Sequence, residues 1–148
     1  MIVYLDTSAF VKLILQEEGA ADARSWFDEA GPVVSSVITY PETCAALGRR
    51  ARASVGESPH LKDWIGELEA RWRRVVSVRV EAQTAGELAL RHGLRGMDAV
   101  QLAAAVNART RLRRHAEDAE LVFAAFDRQL LAAAEREGFA TLGGPLAS

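Results

Sequence analysis

The chain has 148 residues, a formal net charge of −2, 49% hydrophobic and 26% charged residues, and a single cysteine, Cys44. This length and composition are typical of one globular domain with an apolar core, and one cysteine excludes an intrachain disulfide framework. The sequence has neither a basic, apolar leader at its start nor an uncharged apolar run of about 18 residues. We therefore expect a cytoplasmic protein with no membrane segment.

Strands and helices alternate in the first half of the chain. Short apolar runs predict strands that are buried on both faces, and proline is favoured in the first turn of a helix because its missing N–H has no partner there. The predicted elements are, in order, a strand at residues 2–5, a buried helix at 8–16, a helix at 20–30, a strand at 33–37, and a long helix that Pro41 begins and residues 49–52 end.

The second half continues the alternation. Its predicted elements are a turn at residues 54–59, an amphipathic helix from Leu61 to Trp72, a strand at 75–80, helices at 82–92 and 96–108, a strand at 121–126, a helix at 128–137 and a short strand at 139–142. Strands that alternate with helices predict a parallel sheet covered on both faces, hence an α/β fold. We predict one domain at residues 1–142 and a loose tail at 143–148.

Four carboxylates fall at comparable places in this pattern. Asp6 and Asp127 each follow a predicted strand directly, whereas Glu42 and Asp98 lie in the first turn of a predicted helix. In an open parallel sheet the carboxyl ends of the strands and the amino ends of the following helices share one edge, where ligands bind. The sequence therefore predicts that four acids from distant parts of the chain meet at that edge.

Each acid taken singly has an ordinary explanation, because Asp caps helices and carboxylates complement the helix dipole. Crowding four of them requires protons or a cation, since two carboxylates about 4 Å apart repel by about 4 kcal/mol at an effective dielectric of about 20. Mg²⁺ or Mn²⁺ suits such a set of oxygen donors. Zinc does not, because there is one cysteine and the three histidines are scattered.

At this point the sequence resembles the PIN-domain ribonucleases, and among them the VapC-type toxins of bacterial toxin–antitoxin pairs. The resemblance rests on four segments that occur in the family's order and span nearly the whole chain: VYLDTSA at residues 3–9, Pro41-Glu42, LRGMDAVQLA at residues 94–103 and FDRQL at residues 126–130.

The resemblance implies a three-layer α/β/α sandwich around a parallel sheet of four or five strands, and an endoribonuclease that hydrolyses RNA phosphodiester bonds with one or two Mg²⁺ or Mn²⁺ ions. It implies that Asp6, Glu42, Asp98 and Asp127 form the catalytic, metal-binding quartet. It also implies a homodimer and a cognate antitoxin that blocks the acidic edge. Ser8 matches a polar position that supports the first Asp, with Thr7 as a further supporting or capping residue.

Three arginines are candidates for contacts with RNA phosphates, because they neighbour the acids in sequence: Arg91 and Arg95 precede Asp98, and Arg128 follows Asp127. The chain departs from the family in two places. Residues 109–120 lengthen the interval between Asp98 and Asp127, which we interpret as a helix extension followed by a longer loop, and position 101 is Gln where the family often has His.

Two other functional classes remain open. Phosphotransfer proteins, either receiver domains or aspartyl-phosphate phosphatases, also place acids at strand ends. The phosphatase pattern needs a second Asp where this chain has Ser8. Both patterns need a lysine at a late strand end, whereas no lysine follows Lys62. A non-catalytic interaction module on the same fold is the other alternative. Metal-dependent cleavage of single-stranded RNA would separate all three.

Overall fold

A computed structural model describes residues 1–53 and 60–144, and the structural statements below refer to these ranges. Its sheet has five strands in the spatial order β3-β2-β1-β4-β5, and every neighbouring pair is parallel. The strands are β1 (Ile2–Leu5), β2 (Val33–Ser36), β3 (Val75–Val78), β4 (Leu121–Ala125) and β5 (Thr141–Gly143). The predicted α/β fold with a parallel sheet is confirmed.

Helices cover both faces of this sheet. The helices of the described residues are α1 (Thr7–Ile14), α2 (Ala20–Glu29), α3 (Thr39–Ala53), α4 (Leu61–Trp72), α5 (Ala82–His92), α6 (Gly96–His115) and α7 (Arg128–Arg136). Successive residues of β1 point to opposite sides, so Tyr4 joins a core with α5, α6 and α7, whereas Val3 and Leu5 join a second core with α1 to α4. These two cores make the three layers, and they leave the carboxyl edge of the sheet as the place where several loops converge.

Some element bounds differ from the prediction. Helix α3 begins at Thr39, and Pro41 is its third residue, which is tolerated because the first four N–H groups of a helix have no intrahelical partner. Strand β3 ends at Val78, the last residue that pairs with β2, and not at residue 80. The other differences are of one or two residues, within the usual fraying of element ends.

The long interval between Asp98 and Asp127 contains a helix extension followed by a loop, as predicted. Helix α6 continues to His115, beyond the expected end at residue 108, and a loop then leads to β4 at Leu121. At the end of the chain, Gly143 is the last residue of β5, so the predicted tail starts too early. The remainder of that tail, residues 145–148, and the predicted turn at residues 54–59 lie outside the described residues. Within the described ranges, no helix is long and apolar enough to cross a membrane.

Candidate active site

Asp6 is the innermost carboxylate of the site. It lies directly after the central strand β1 and caps α1, where its Oδ1 accepts hydrogen bonds from the Ala9 N–H (2.9 Å) and the Ser8 hydroxyl (2.6 Å). Only 4% of its surface is exposed. The pKa of Asp6 is raised to about 7, chiefly by burial and also by the neighbouring carboxylates of Asp98 and Asp127, against the lowering effect of the two hydrogen bonds.

Ser8 joins the ends of two neighbouring strands. Its hydroxyl donates to Asp6, which follows β1, and the same oxygen accepts the backbone N–H of Phe126 (3.2 Å), which follows β4 and precedes Asp127. Because both partners are bound by one hydroxyl, the two loops that carry Asp6 and Asp127 are held side by side.

Glu42 lies in the first turn of α3 and is half-buried. Its Oε1 accepts a hydrogen bond from the Thr7 hydroxyl (2.7 Å) and another from the side-chain amide of Gln101 (3.2 Å). Thr7 belongs to α1 and Gln101 to α6, so three helices fix the position of this carboxylate.

Asp98 and Asp127 complete the cluster. Asp98 is half-buried in the first turn of α6, and burial raises its pKa, as do the charges of Asp127 and Glu42, whereas Arg95 lowers it. Asp127 is exposed and caps α7, accepting the Leu130 N–H on Oδ1 (2.8 Å). Asp98 therefore interacts electrostatically with Asp6, Glu42 and Asp127, and all four acids lie at the carboxyl edge of the sheet.

The acids do not form a closed cage. Across residues 1–53 and 60–144, no group of three or more His, Cys, Asp or Glu side chains is arranged to hold an ion by itself. An open arrangement is compatible with Mg²⁺, which keeps several of its waters and is usually bound through one or two carboxylates together with substrate phosphates. The site thus supplies oxygen donors and a negative field.

Comparison with known proteins identifies the family. The family model described as the PIN domain matches residues 3–136. The chain belongs to the PIN-domain family. Two relatives from Mycobacterium tuberculosis, ribonuclease VapC45 and ribonuclease VapC49, are each 38% identical over 140 residues, which cover 93% of this chain and 92% of the relative. The family resemblance of the sequence is confirmed.

Solved structures share the fold. PAE2754 from Pyrobaculum aerophilum superposes with a TM-score of 0.66 at 21% identity, covering 95% of this chain and 89% of that one. VapC20 from Mycobacterium tuberculosis, described as a sarcin-ricin loop cleaving toxin, gives 0.62 at 20% identity, with coverages of 93% and 96%. VapBC2 from Rickettsia felis, bound to a promoter DNA fragment, gives 0.61 at 13% identity, with coverages of 97% and 98%.

The three candidate arginines of this PIN domain are placed differently. Arg95 and Arg128 are exposed at the starts of α6 and α7, beside Asp98 and Asp127 respectively. Arg91 instead forms an ion pair with the Glu137 carboxylate. Glu137 follows α7 at the end opposite Asp127, so the Arg91 side chain is engaged in an ion pair there, and its contact with RNA stays a prediction.

Gln101 is the residue whose function the sequence did not reveal. It is 3% exposed and forms hydrogen bonds with four side chains of the site region. One signal was available, because position 101 is three residues after Asp98 and thus on the same face of α6. A buried polar residue on that face must find hydrogen-bond partners.

The raised pKa of Asp6 makes the stability of the metal-free protein pH-dependent. Between about pH 4 and 7 the folded state retains a proton that the unfolded state has lost, so stability decreases as the pH rises through this window. Asp6→Asn keeps an oxygen for Ala9 and Ser8 but cannot ionise. We expect its stability relative to wild type to be pH-independent below about pH 3, to increase between about pH 4 and 7, and to have gained up to about 4 kcal/mol above pH 7.

Urea unfolding in EDTA at about pH 4 and about pH 8 measures this difference. Asp118→Asn, in the exposed loop after α6, is the matched control and should follow the wild type. Parallel pH profiles for Asp6→Asn and wild type would contradict the buried, proton-retaining carboxylate.

Proposed function

We propose that this PIN-domain protein is a divalent-metal-dependent endoribonuclease and the toxin of a type II toxin–antitoxin pair, with Asp6, Glu42, Asp98 and Asp127 as its metal-binding, catalytic carboxylates. The observation that carries the site assignment is the mutual electrostatic interaction of these acids at one sheet edge, with Asp6 buried among them. The ribonuclease names of relatives that match 93% of the chain support RNA as the substrate. A cytoplasmic location is part of the proposal.

The donor set fits Mg²⁺ or Mn²⁺. The side chains at this edge offer carboxylate and hydroxyl oxygens, which hard divalent cations prefer. Asp98 and Asp127 each act on Asp6, and Asp127 and Glu42 each act on Asp98, so the cluster has a negative field that a cation would neutralise. A bound divalent ion would supply the chemistry by lowering the pKa of a water and by neutralising charge on the phosphate.

The chain's own residues then have distinct parts in hydrolysis. The hydrogen bonds of Ser8 and Ala9 hold Asp6, and those of Thr7 hold Glu42, so that oxygens of these carboxylates are fixed before substrate arrives. Arg95 and Arg128 are exposed beside the acids and would bind phosphates flanking the scissile bond. These contacts draw the RNA backbone to an edge that would otherwise repel it.

Asp98→Asn tests the acidic cluster. The substitution preserves the side-chain shape and removes one crowded charge, so the protein should remain folded. RNA cleavage should fall by more than about 100-fold, because even the outer-shell partners of a metal ligand contribute about 10–100-fold. The measurement is cleavage of single-stranded RNA with Mn²⁺, with circular dichroism as the folding check. Asp118→Asn should be fully active, and full activity of Asp98→Asn would exclude a catalytic part for Asp98.

Asp127 and Arg128 are adjacent but should act on different ligands. Asp127→Asn should raise the Mn²⁺ concentration needed for cleavage, and saturating Mn²⁺ should restore part of the rate. Arg128→Ala should weaken RNA binding and reduce the log–log salt slope by about one unit or less, with the metal requirement unchanged.

The alternative for this pair is a purely structural one, since Asp127 does cap α7. Asn caps a helix as well as Asp does, so under that alternative both variants would behave like the wild type. Mn²⁺ titrations that overlay the wild-type curve for both variants would leave a centre of Asp6, Glu42 and Asp98.

The partner proposal follows from the family. We propose a homodimer and a cognate antitoxin that covers the acidic edge, where an inserted arginine would neutralise the carboxylates. The solved VapBC2 assembly on promoter DNA is in keeping with a two-protein system of this kind. Trp72, at the end of α4, does not argue for the dimer, because its ring packs against Phe10 and Tyr40 of the same chain, with centroids 5.5 Å apart in both cases.

Light scattering at micromolar concentration tests the dimer, and co-purification with the product of the adjacent reading frame tests the antitoxin. We expect a dimer whose cleavage activity is lost in the complex and restored after the partner is removed by proteolysis. A monomer without an adjacent antitoxin frame would refute this part and leave the nuclease assignment standing.

A further inference from the structure

Behind the acidic edge lies a buried polar network that the catalytic assignment does not explain. Its centre is Gln101, whose carbonyl oxygen accepts the Tyr4 hydroxyl (2.6 Å) and whose amide nitrogen shares its two N–H donors among Thr7 (2.9 Å), Thr39 (3.1 Å) and Glu42 (3.2 Å). Tyr4 is fully buried in β1, where its ring stacks on Phe123 with centroids 5.2 Å apart. The network therefore connects the central strand to the site through one amide group.

The orientation of this amide follows from the chemistry of its partners. The Glu42 Oε1 accepts hydrogen bonds, so the nitrogen of Gln101 faces it and the carbonyl oxygen faces Tyr4. The Tyr4 hydroxyl can satisfy that oxygen only by donating. Each end of the amide is thus specified, and a flipped amide would place its oxygen against the Glu42 carboxylate.

The hydrogen bonds also distinguish the two oxygens of Glu42. Thr7 and Gln101 both donate to Oε1, and no hydrogen bond from the described part of the chain reaches Oε2. Gln101 follows Asp98 by three residues on α6, so the residue that holds Glu42 shares a helix face with Asp98.

We propose that Gln101, oriented by Tyr4, is a positioning residue that immobilises Oε1 of Glu42 and thereby presents Oε2 to a divalent cation. This inference rests on the proposed function, because it assumes that Glu42 binds the ion. It explains why an uncharged, nearly inaccessible glutamine lies beneath an acidic cluster, and it makes Tyr4 act on the site only through Gln101.

A double-mutant cycle on Mn²⁺ affinity tests the chain of contacts without using activity. The variants are Gln101→Met, which keeps the length of the side chain and removes its hydrogen bonds, Tyr4→Phe, which keeps the stacked ring, and the double variant. Affinity is measured by electron paramagnetic resonance of free Mn²⁺ or by calorimetry. Gln83→Met, an exposed position on α5, is the matched control.

We expect Gln101→Met to weaken Mn²⁺ binding by about 10-fold, the lower end for outer-shell partners, and Tyr4→Phe to weaken it by a smaller factor. Because Tyr4 acts through Gln101, Tyr4→Phe should have no further effect in the Gln101→Met background. A residue that only supports the fold would lower the melting temperature without this coupling in metal affinity. If Gln101→Met does not fold, the Mn²⁺ affinity of Tyr4→Phe alone tests the proposal: a weakened affinity supports it, and an unchanged affinity overturns it.

Failure of this inference and failure of the proposed function give different results. Unchanged Mn²⁺ affinity in Gln101→Met and Tyr4→Phe, with weakened affinity in Glu42→Gln, overturns the positioning role and leaves the metal site intact. The positioning role is also overturned if the effects of Gln101→Met and Tyr4→Phe on Mn²⁺ affinity are additive in the double variant. Absence of Mn²⁺ binding in the wild type refutes the metal site itself, and the inference with it.

Discussion

The buried carboxylate of Asp6 imposes the constraint to which the rest of the site responds. It ends the central strand, it is almost fully enclosed, and two further acids face it. A charge in such a place is unfavourable unless it is hydrogen-bonded and compensated. The chain provides the hydrogen bonds itself, through Ser8 and Ala9, and leaves the compensation to protons or to a cation. That incomplete compensation is the physical basis of the metal site that we propose at this edge.

The fold separates the polar framework of the site from its ligand-facing side. Around Gln101, hydroxyls and one amide form hydrogen bonds with one another in the interior. Toward solvent, the exposed Asp127 and the half-buried Asp98 and Glu42 leave oxygens accessible. A rigid interior and an open rim are the combination that a metal-assisted nuclease requires, since ligands must be preorganised while water and phosphate still enter.

Two arginines that are close in sequence make different tertiary contacts. Arg91 and Arg95 are four residues apart, yet Arg91 is bound to Glu137 in an ion pair that also involves His92, whereas Arg95 stays exposed and lowers the pKa of Asp98. The first joins α5 to the far end of α7. The second lowers the pKa of Asp98 at the acidic edge, so two arginines that are close in sequence have different partners.

The alternation of strands and helices, and the edge at which Asp6, Glu42, Asp98 and Asp127 gather, could be predicted from the sequence, because apolar periodicity and strand-to-helix connections are local properties. Four sequence segments indicated the family. The features that depend on distant partners could not be predicted in this way. The Tyr4–Gln101 hydrogen bond spans 97 positions, and the Arg91–Glu137 pair spans 46. The pKa of Asp6 likewise depends on burial by helices elsewhere in the chain. Such contacts leave no periodic pattern, since each needs only one residue at either end.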